Sequence, residues 1–270
     1  MNFIWLLFAE NAIVSSLIFL CLIFKSKIRS AFLYRDNLAI IVGASIITYL
    51  IFITVLRYNR TLAMATSPVI VISFIMGLTL FRFYRNPIRQ CNASNKDILA
   101  PADGFVTYIK RIEGDKIPIS IKGKDISRLS ELSKVDILNT PCWLIGITMT
   151  LFDVHYVRAP IGGQVVFNQH TSGKFLSLKS PDSVVENERN TSVIQDKRLQ
   201  IGVIQIASKR VRGIRSFIQR GQSVQVGQRI GMIAFGSQTD TILPITAVLQ
   251  VKSGEWVYGG KTIIASSQGS

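Results

Sequence analysis

Two long uncharged runs dominate the first third of the chain. Leu38 to Leu56 is a run of 19 residues without a charge, and Thr61 to Phe81 is a second run of 21. Each is long enough to cross the hydrocarbon core of a bilayer as an α-helix. Because only four residues separate the two runs, the pattern predicts a transmembrane helical hairpin over residues 37–84.

Residues 1–36 are also apolar, but Glu10 and Asn11 interrupt them and leave Ala12 to Phe24 as a shorter apolar stretch. The segment lacks a basic start and a small-residue cleavage site, which argues against a secretory signal peptide. The sequence leaves three interpretations of this N-terminal extension open. It is a third membrane segment, an interfacial helix, or an extension translated from an upstream start.

Basic residues predict the orientation of the hairpin. Four precede it and two lie in its loop: Lys25, Lys27, Arg29, Arg35, Arg57 and Arg60. Since loops rich in Lys and Arg stay in the cytoplasm, the first of these loops is expected there. The chain then returns to the cytoplasm after the hairpin. We therefore expect a protein of the cell (inner) membrane, with residues 85–270 on the cytoplasmic side.

The pattern changes after residue 84. Short runs rich in Ile, Val, Phe and Thr are broken by Gly, Pro and Asp, and they predict β-strands. Such runs include Gly104–Ile109, Trp143–Phe152, Gly163–Phe167 and Leu199–Ala207. Gly221 to Ile233 alternates apolar and polar residues around glycines, as lipoyl and biotinyl barrel-sandwich domains do. Residues 85–270 are therefore predicted to form a mainly β domain, a sandwich or barrel-sandwich-like fold.

Charge and cysteine content restrict the partners of this domain. The chain has a formal net charge of +15, and residues 85–270 carry 24 Lys or Arg against 14 Asp or Glu. A basic domain tethered to a bilayer suits an anionic membrane surface. Aromatic and basic residues are not interleaved as in nucleic-acid binders, so no nucleic acid is expected. The cysteines Cys21, Cys91 and Cys142 form no close pair and predict neither disulfides nor a metal site.

Three polar residues stand out as candidate catalytic groups. Asp103 lies in a Pro-Ala-Asp-Gly turn sequence, His155 is one of two histidines, and Ser237 follows Gly236. A serine nucleophile needs a base such as histidine, and an acid orients that base. Taken singly, each residue is also explained as a turn residue or a buried structural histidine.

Several spaced blocks resemble the phosphatidylserine decarboxylase proenzymes, in particular their short bacterial and archaeal-type branch. The blocks follow the family's order from about residue 35 to 250: Phe81–Pro87, Pro101–Gly104, Asp153–Pro160, Gly173–Phe175, Glu186–Asn190 and Gly227–Ser237, with Asp240 and Pro244 after them. Gln238 and Thr239 depart from the pattern, because the family usually has an arginine and an apolar residue there.

The resemblance implies that the chain cleaves itself between Gly236 and Ser237. Ser237 would attack the Gly236 carbonyl, His155 would accept the hydroxyl proton, and Asp103 would orient His155. The products would be a β chain of residues 1–236 and an α chain of residues 237–270, which stay associated. A pyruvoyl group would replace the serine, with no metal and no pyridoxal phosphate.

The resemblance also implies the reaction, which converts phosphatidylserine to phosphatidylethanolamine and carbon dioxide. Loss of carbon dioxide leaves a carbanion, and the pyruvoyl ketone is the electron sink that side chains lack. His155 would then protonate that carbanion. Arg158, Lys174 and Arg189 are candidates for the lipid phosphate, although each is also explained as a solvated cation. The sequence leaves the oligomeric state, including a homo-oligomer, open.

Two other functions fit parts of the pattern. The stretch from Gly221 to Ile233 would suit a non-enzymatic lipoyl-like membrane adaptor, but such adaptors carry a long helical hairpin between their half-motifs. Asp103, His155 and Ser237 would also suit a serine hydrolase, but no Gly-x-Ser-x-Gly elbow surrounds Ser237.

Overall fold

In the computed structural model the chain forms two compact units. One comprises Met1–Arg85 and Thr150–Phe152, and the other comprises Asn86–Met149 and Asp153–Ser270. The structure describes residues 2–26, 28–91, 93–113, 116–117, 127–128, 141–174, 176–177, 186–208, 213–234 and 237–267.

Three helices form the first unit: α1 (Phe3–Ser26), α2 (Ala31–Thr54) and α3 (Arg60–Tyr84). By length and composition, each of these three helices in the described residues is able to cross a membrane. The predicted two-helix hairpin was therefore incomplete. The N-terminal extension forms a helix that continues through Glu10 and Asn11.

Polar side chains are tolerated in α1 because they find partners on the other helices. The Asn11 amide donates to Ser45 Oγ at 3.0 Å, and its oxygen accepts from Ser67 Oγ at 2.6 Å. Ser15 donates to Asn37 Oδ1 at 2.5 Å. Interhelical hydrogen bonds of this kind hold apolar helices together in a bilayer, where water is not available as a partner.

The second unit is rich in strands, which the described residues place as follows: β1 (Asp97–Leu99), β2 (Gly104–Ile112), β3 (Lys116–Ile117), β4 (Ser127–Arg128), β5 (Cys142–Thr148), β6 (Tyr156–Arg158), β7 (Gly163–Thr171), β8 (Arg189–Gln195), β9 (Gln200–Ile206), β10 (Ile214–Ser216), β11 (Ser223–Val224), β12 (Arg229–Ile233), β13 (Gln238–Pro244), β14 (Ala247–Leu249), β15 (Trp256–Val257) and β16 (Ile263–Ser267). The prediction of a strand-rich domain is confirmed.

Eight of these strands form one curled antiparallel sheet, in the order β11-β7-β8-β9-β13-β5-β2-β15. Two three-stranded sheets accompany it, in the orders β1-β16-β14 and β10-β12-β6, and β3 pairs with β4. The strand β13 lies near the middle of the large sheet and pairs with β5 on one side and β9 on the other. Side chains of β2, β5, β9, β12 and β13 line the buried core.

Candidate active site

Ser237 directly precedes β13 and is fully buried. Its backbone carbonyl accepts a hydrogen bond from the Met149 N–H at 3.0 Å, and its Oγ lies 3.6 Å from Met149 Sδ. The main-chain bond to Met149 continues the pairing of β13 with β5. The predicted nucleophile is therefore fixed at the start of a central strand and shielded from water. Gly236, the other half of the predicted cleavage site, lies outside the described residues.

His155 is fully buried one residue before β6. Its Nδ1 lies 2.9 Å from the carbonyl oxygen of Asp153, and its own carbonyl accepts from the Ile233 N–H of β12 at 3.1 Å. Burial lowers the pKa of His155 to about 4, and the hydrogen bond with Asp153 and the charge of Asp103 oppose that shift. The imidazole is therefore neutral near pH 7, which is the form that accepts a proton.

Asp103 is buried, and its carboxylate is held from two sides. Arg89 donates to its two oxygens at 2.5 and 2.7 Å, and the N–H of Gly259 donates to Oδ1 at 2.8 Å. Arg89 also donates to the Gly259 carbonyl. The charge of Asp103 raises the pKa of His155, so the two residues lie within electrostatic range of each other. Asp103 as the group that orients His155 stays a prediction.

Arg89 and Gly259 belong to this site, although no local sequence pattern predicts either residue there. Arg89 was one basic residue among many, and Gly259 follows Asp103 by more than 150 positions. A usable signal was that a buried aspartate needs a compensating donor, although sequence alone does not identify which residue supplies it.

The three candidates for the lipid phosphate lie in different surroundings. Arg158 is buried and donates to the Gly227 and Pro87 carbonyls at 2.9 and 3.0 Å. Arg189 is fully buried and donates to the Asn187 carbonyl, and burial lowers its pKa to about 10. Only the side chain of Lys174 is mostly exposed, beside Glu186 at 2.9 Å. These contacts explain Arg158 and Arg189 as structural cations, and a role for any of the three in binding phosphate stays a prediction.

The first residues of β13 also build a buried polar cluster. Asp240 is fully buried and accepts hydrogen bonds from the Tyr108 hydroxyl and the Gln238 amide, both at 2.7 Å. The Gln238 amide also lies 2.8 Å from the Tyr108 oxygen. Tyr108 reaches Asp240 across Gly146, where any Cβ would overlap its ring. Gln238, which departs from the family pattern, thus bridges the buried Asp240 and the half-buried Tyr108.

Asp240 is expected to make folding stability depend on pH. Burial raises its pKa to about 6, against the opposing hydrogen bonds from Tyr108 and Gln238. The raised pKa means that the folded state favours the protonated form of Asp240. The contribution of Asp240 to the free energy of unfolding is therefore fully present below about pH 4, and it is lost as the pH rises through 6. The substitution Asp240→Asn should remove this loss, which two pKa units put at roughly 2–3 kcal/mol.

Thermal unfolding in detergent at pH 4.5 and pH 7.5 measures this effect. The advantage of Asp240→Asn over the wild type should grow toward pH 7.5. Glu255→Gln, which removes the charge of an exposed carboxylate, is the control and should show no such trend. A difference between Asp240→Asn and the wild type that is the same at both pH values would contradict the prediction.

Comparison with known proteins adds independent information on this site. A model of the family described as phosphatidylserine decarboxylase matches residues 77–265, a range that holds Asp103, His155 and Ser237. The chain belongs to the phosphatidylserine decarboxylase family. The resemblance predicted from the spaced blocks is thereby confirmed, and the protein is an enzyme, a decarboxylase.

Relatives of this decarboxylase come from archaea and bacteria. A putative archaetidylserine decarboxylase proenzyme of Methanocaldococcus jannaschii is 39% identical over 71% of this chain and 92% of the relative. A phosphatidylserine decarboxylase proenzyme of Carboxydothermus hydrogenoformans is 36% identical over 73% of this chain and 83% of the relative. That of Amoebophilus asiaticus is 32% identical over 86% and 95%. Neither the adaptor nor the serine hydrolase hypothesis agrees with membership of this family.

Proposed function

We propose that this enzyme decarboxylates phosphatidylserine, or its ether-lipid counterpart archaetidylserine, with a pyruvoyl group that it makes from Ser237 by self-cleavage. The observation that carries the proposal is the buried Ser237 at the start of β13, in the same unit as a neutral His155 and the paired Asp103. The two lipids share the serine phosphate head group, so one site serves both.

Self-cleavage begins when Ser237 Oγ attacks the carbonyl carbon of Gly236. The C–N bond breaks, an ester forms, and the nitrogen becomes the free amine of Ser237. Removal of the Ser237 α-proton then breaks the Cβ–O bond and releases the carboxylate of Gly236. The resulting enamine becomes an imine, water replaces the nitrogen as ammonia, and a ketone remains.

His155 supplies the base for the first step. A buried imidazole that is neutral at pH 7 accepts the proton of Ser237 Oγ, and a positioned base of this kind typically contributes about 10²–10⁴-fold in rate. The charge of Asp103 stabilises the cation that forms, and Arg89 with Gly259 holds that carboxylate in place.

In the mature enzyme a pyruvoyl group at position 237 would supply the electron sink for decarboxylation, through condensation of its ketone with the substrate amine. Position 237 is fully buried, and so are His155 and Thr239. After carbon dioxide is lost, a proton must be delivered to the substrate carbon. An imidazole whose pKa is as low as that of His155 is a strong acid once protonated, which suits this second role.

The topology supports continued association of the two chains. The α chain would contribute β13 to the large sheet, where it pairs with β5 and β9 of the β chain. It would also contribute β15, which pairs with β2, and β16, which pairs with β1. Cutting one peptide bond leaves all of these hydrogen bonds in place.

The three helices support attachment to the cell membrane, and the basic loops favour a catalytic unit on its cytoplasmic face. The net positive charge of residues 85–270 favours an anionic lipid surface. A reporter fused after Ser270 tests on which side of the membrane the catalytic unit lies. A reporter signal from outside the cytoplasm would overturn this part of the proposal.

Purified protein is expected to contain two chains and to release carbon dioxide from phosphatidylserine. Intact mass spectrometry should find an α chain of 34 residues that is one ammonia lighter than the unmodified sequence. Mixed micelles of phosphatidylserine, its ether analogue and phosphatidylglycerol test the substrate, and phosphatidylglycerol is the control because it has no amine. Turnover by a single uncut chain would refute the proposal.

A further inference from the structure

Polar side chains without a partner lie on the strand that follows Ser237 and on the neighbouring strand β9. In the described part of the chain, both amide atoms of Gln205 and the hydroxyls of Thr239 and Thr241 have no hydrogen-bond partner. All three residues are fully buried. Buried polar groups are nearly always paired in proteins, so an unpaired one beside a reactive position is a candidate for binding a ligand.

The register of the large sheet places Gln205 and Thr239 beside the reactive position. Thr239 of β13 lies directly opposite Gln205 of β9. Since side chains alternate along a strand, Ser237, Thr239 and Thr241 share one face of the sheet. Two residues of strand put Thr239 roughly 7 Å from Ser237 and Thr241 twice as far.

The Gln205 amide also contacts β12, the strand whose Ile233 N–H donates to the His155 carbonyl. A Cβ at Gly231 of β12 would overlap the amide, so the side chain occupies the space that this glycine leaves open. The strand β12 pairs with β6, which begins one residue after His155. The Gln205 side chain therefore extends from β9, the neighbour of β13, toward β12, the strand that pairs with β6 beside His155.

We propose that the Gln205 amide, assisted by the Thr239 hydroxyl, binds the carboxylate of the substrate's serine head group. This assignment rests on the proposed function, since it requires Ser237 to be the site of the pyruvoyl group. The ligand class is an amphiphile that carries an α-amino acid, and the contact distinguishes it from an amphiphile with an amine alone.

Neutral donors suit a carboxylate that must leave as carbon dioxide. A lysine or arginine at this place would stabilise the anion of the bound substrate more than the transition state, in which the negative charge is moving away. Such stabilisation would slow the reaction. An amide and a hydroxyl orient the carboxylate without a full positive charge, and Gln205 and Thr239 supply both.

Thr239 and Thr241 provide a matched pair for the test. Both hydroxyls are buried and unpaired on the same strand face, but Thr239 is closer to Ser237. We compare Gln205→Leu and Thr239→Val with Thr241→Val as the control. Gln205→Glu is the second variant at that position, because it keeps the size of the side chain and repels a carboxylate.

All four variants are expected to cleave as the wild type does, measured by intact mass. For phosphatidylserine, kcat/KM should fall at least about 30-fold in both Gln205 variants and about 3–10-fold in Thr239→Val. Thr241→Val should stay within about twofold of the wild type.

A second readout uses cleaved enzyme treated with borohydride, which reduces the ketone and stops turnover. Native mass spectrometry then compares bound phosphatidylserine with bound phosphatidylethanolamine, and only the former should weaken in the Gln205 variants.

Three results would overturn the assignment. The first is an unchanged lipid preference in both Gln205 variants, and the second is an equal loss of kcat/KM in Thr239→Val and Thr241→Val. The third is a block of cleavage in both Gln205 variants, which would assign the amide to maturation instead. Wild-type protein that neither cleaves nor decarboxylates would refute the proposed function itself, and this is seen before any variant is made.

Discussion

Replacement of Ser237 by alanine is expected to leave the 270-residue chain uncut and without decarboxylase activity. The Cβ of alanine has no oxygen to attack the carbonyl of Gly236, so neither the ester nor the ketone forms. Intact mass spectrometry should show one species, and carbon dioxide release from phosphatidylserine should fall to background. This is the largest effect expected of any single substitution.

Ser192→Ala is the matched control, because Ser192 is also a fully buried serine with its hydroxyl 2.9 Å from Asn168 Oδ1. It should cost some stability and leave cleavage intact. An α chain recovered from Ser237→Ala would mean that Ser237 is not the nucleophile. Loss of cleavage in both variants would mean that the effect of Ser237→Ala is not specific to its hydroxyl.

Replacement of His155 by glutamine is expected to slow self-cleavage by about 10²–10⁴-fold, because the proton of Ser237 Oγ loses its acceptor. Pulse-labelled chains separated on a denaturing gel measure the rate. His170→Gln is the control, since His170 is exposed, contacts Glu188 at 2.8 Å, and is the other histidine of the chain. Equal slowing in the two variants would contradict the role of His155.

The pH dependence of cleavage follows from the same residue. Burial lowers the pKa of His155 to about 4, so the neutral base is fully present above about pH 5 and is lost as the pH falls through 4. The rate should therefore be flat from pH 8 to pH 5 and decline below that. A rate that halves near pH 6.5 would instead indicate a solvated histidine.

The sequence was sufficient for the elements whose pattern is local. Strand alternation predicted the β domain, and the two uncharged runs predicted α2 and α3. The sequence does not decide whether α1 forms, because Glu10 and Asn11 interrupt its apolar run. The hydrogen bonds of Asn11 to Ser45 and Ser67, which offset its cost in an apolar helix, join residues more than 30 positions apart.

The candidate site likewise combines residues that the local sequence predicts with residues that only the fold brings to them. Blocks of sequence pointed to Asp103, His155 and Ser237, but the partners of these residues depend on strand order. The ion pair of Arg89 with Asp103 is joined by Gly259, which is more than 150 positions away, and the position of Gln205 requires β9 to pair with β13. An isolated glutamine between two isoleucines on a buried strand was the one local sign that Gln205 has a special role.

The central position of β13 fixes the order of events in the life of the protein. The strand is bordered on both sides, by β5 and by β9, so it has no free edge where a separately made fragment could attach. If the two chains were encoded by separate genes, the α chain would have to insert the seven residues of β13 into the interior of a folded sheet. The uncut precursor therefore has to fold first, and its scission converts a continuous polypeptide into a two-chain assembly that separate translation would not readily produce.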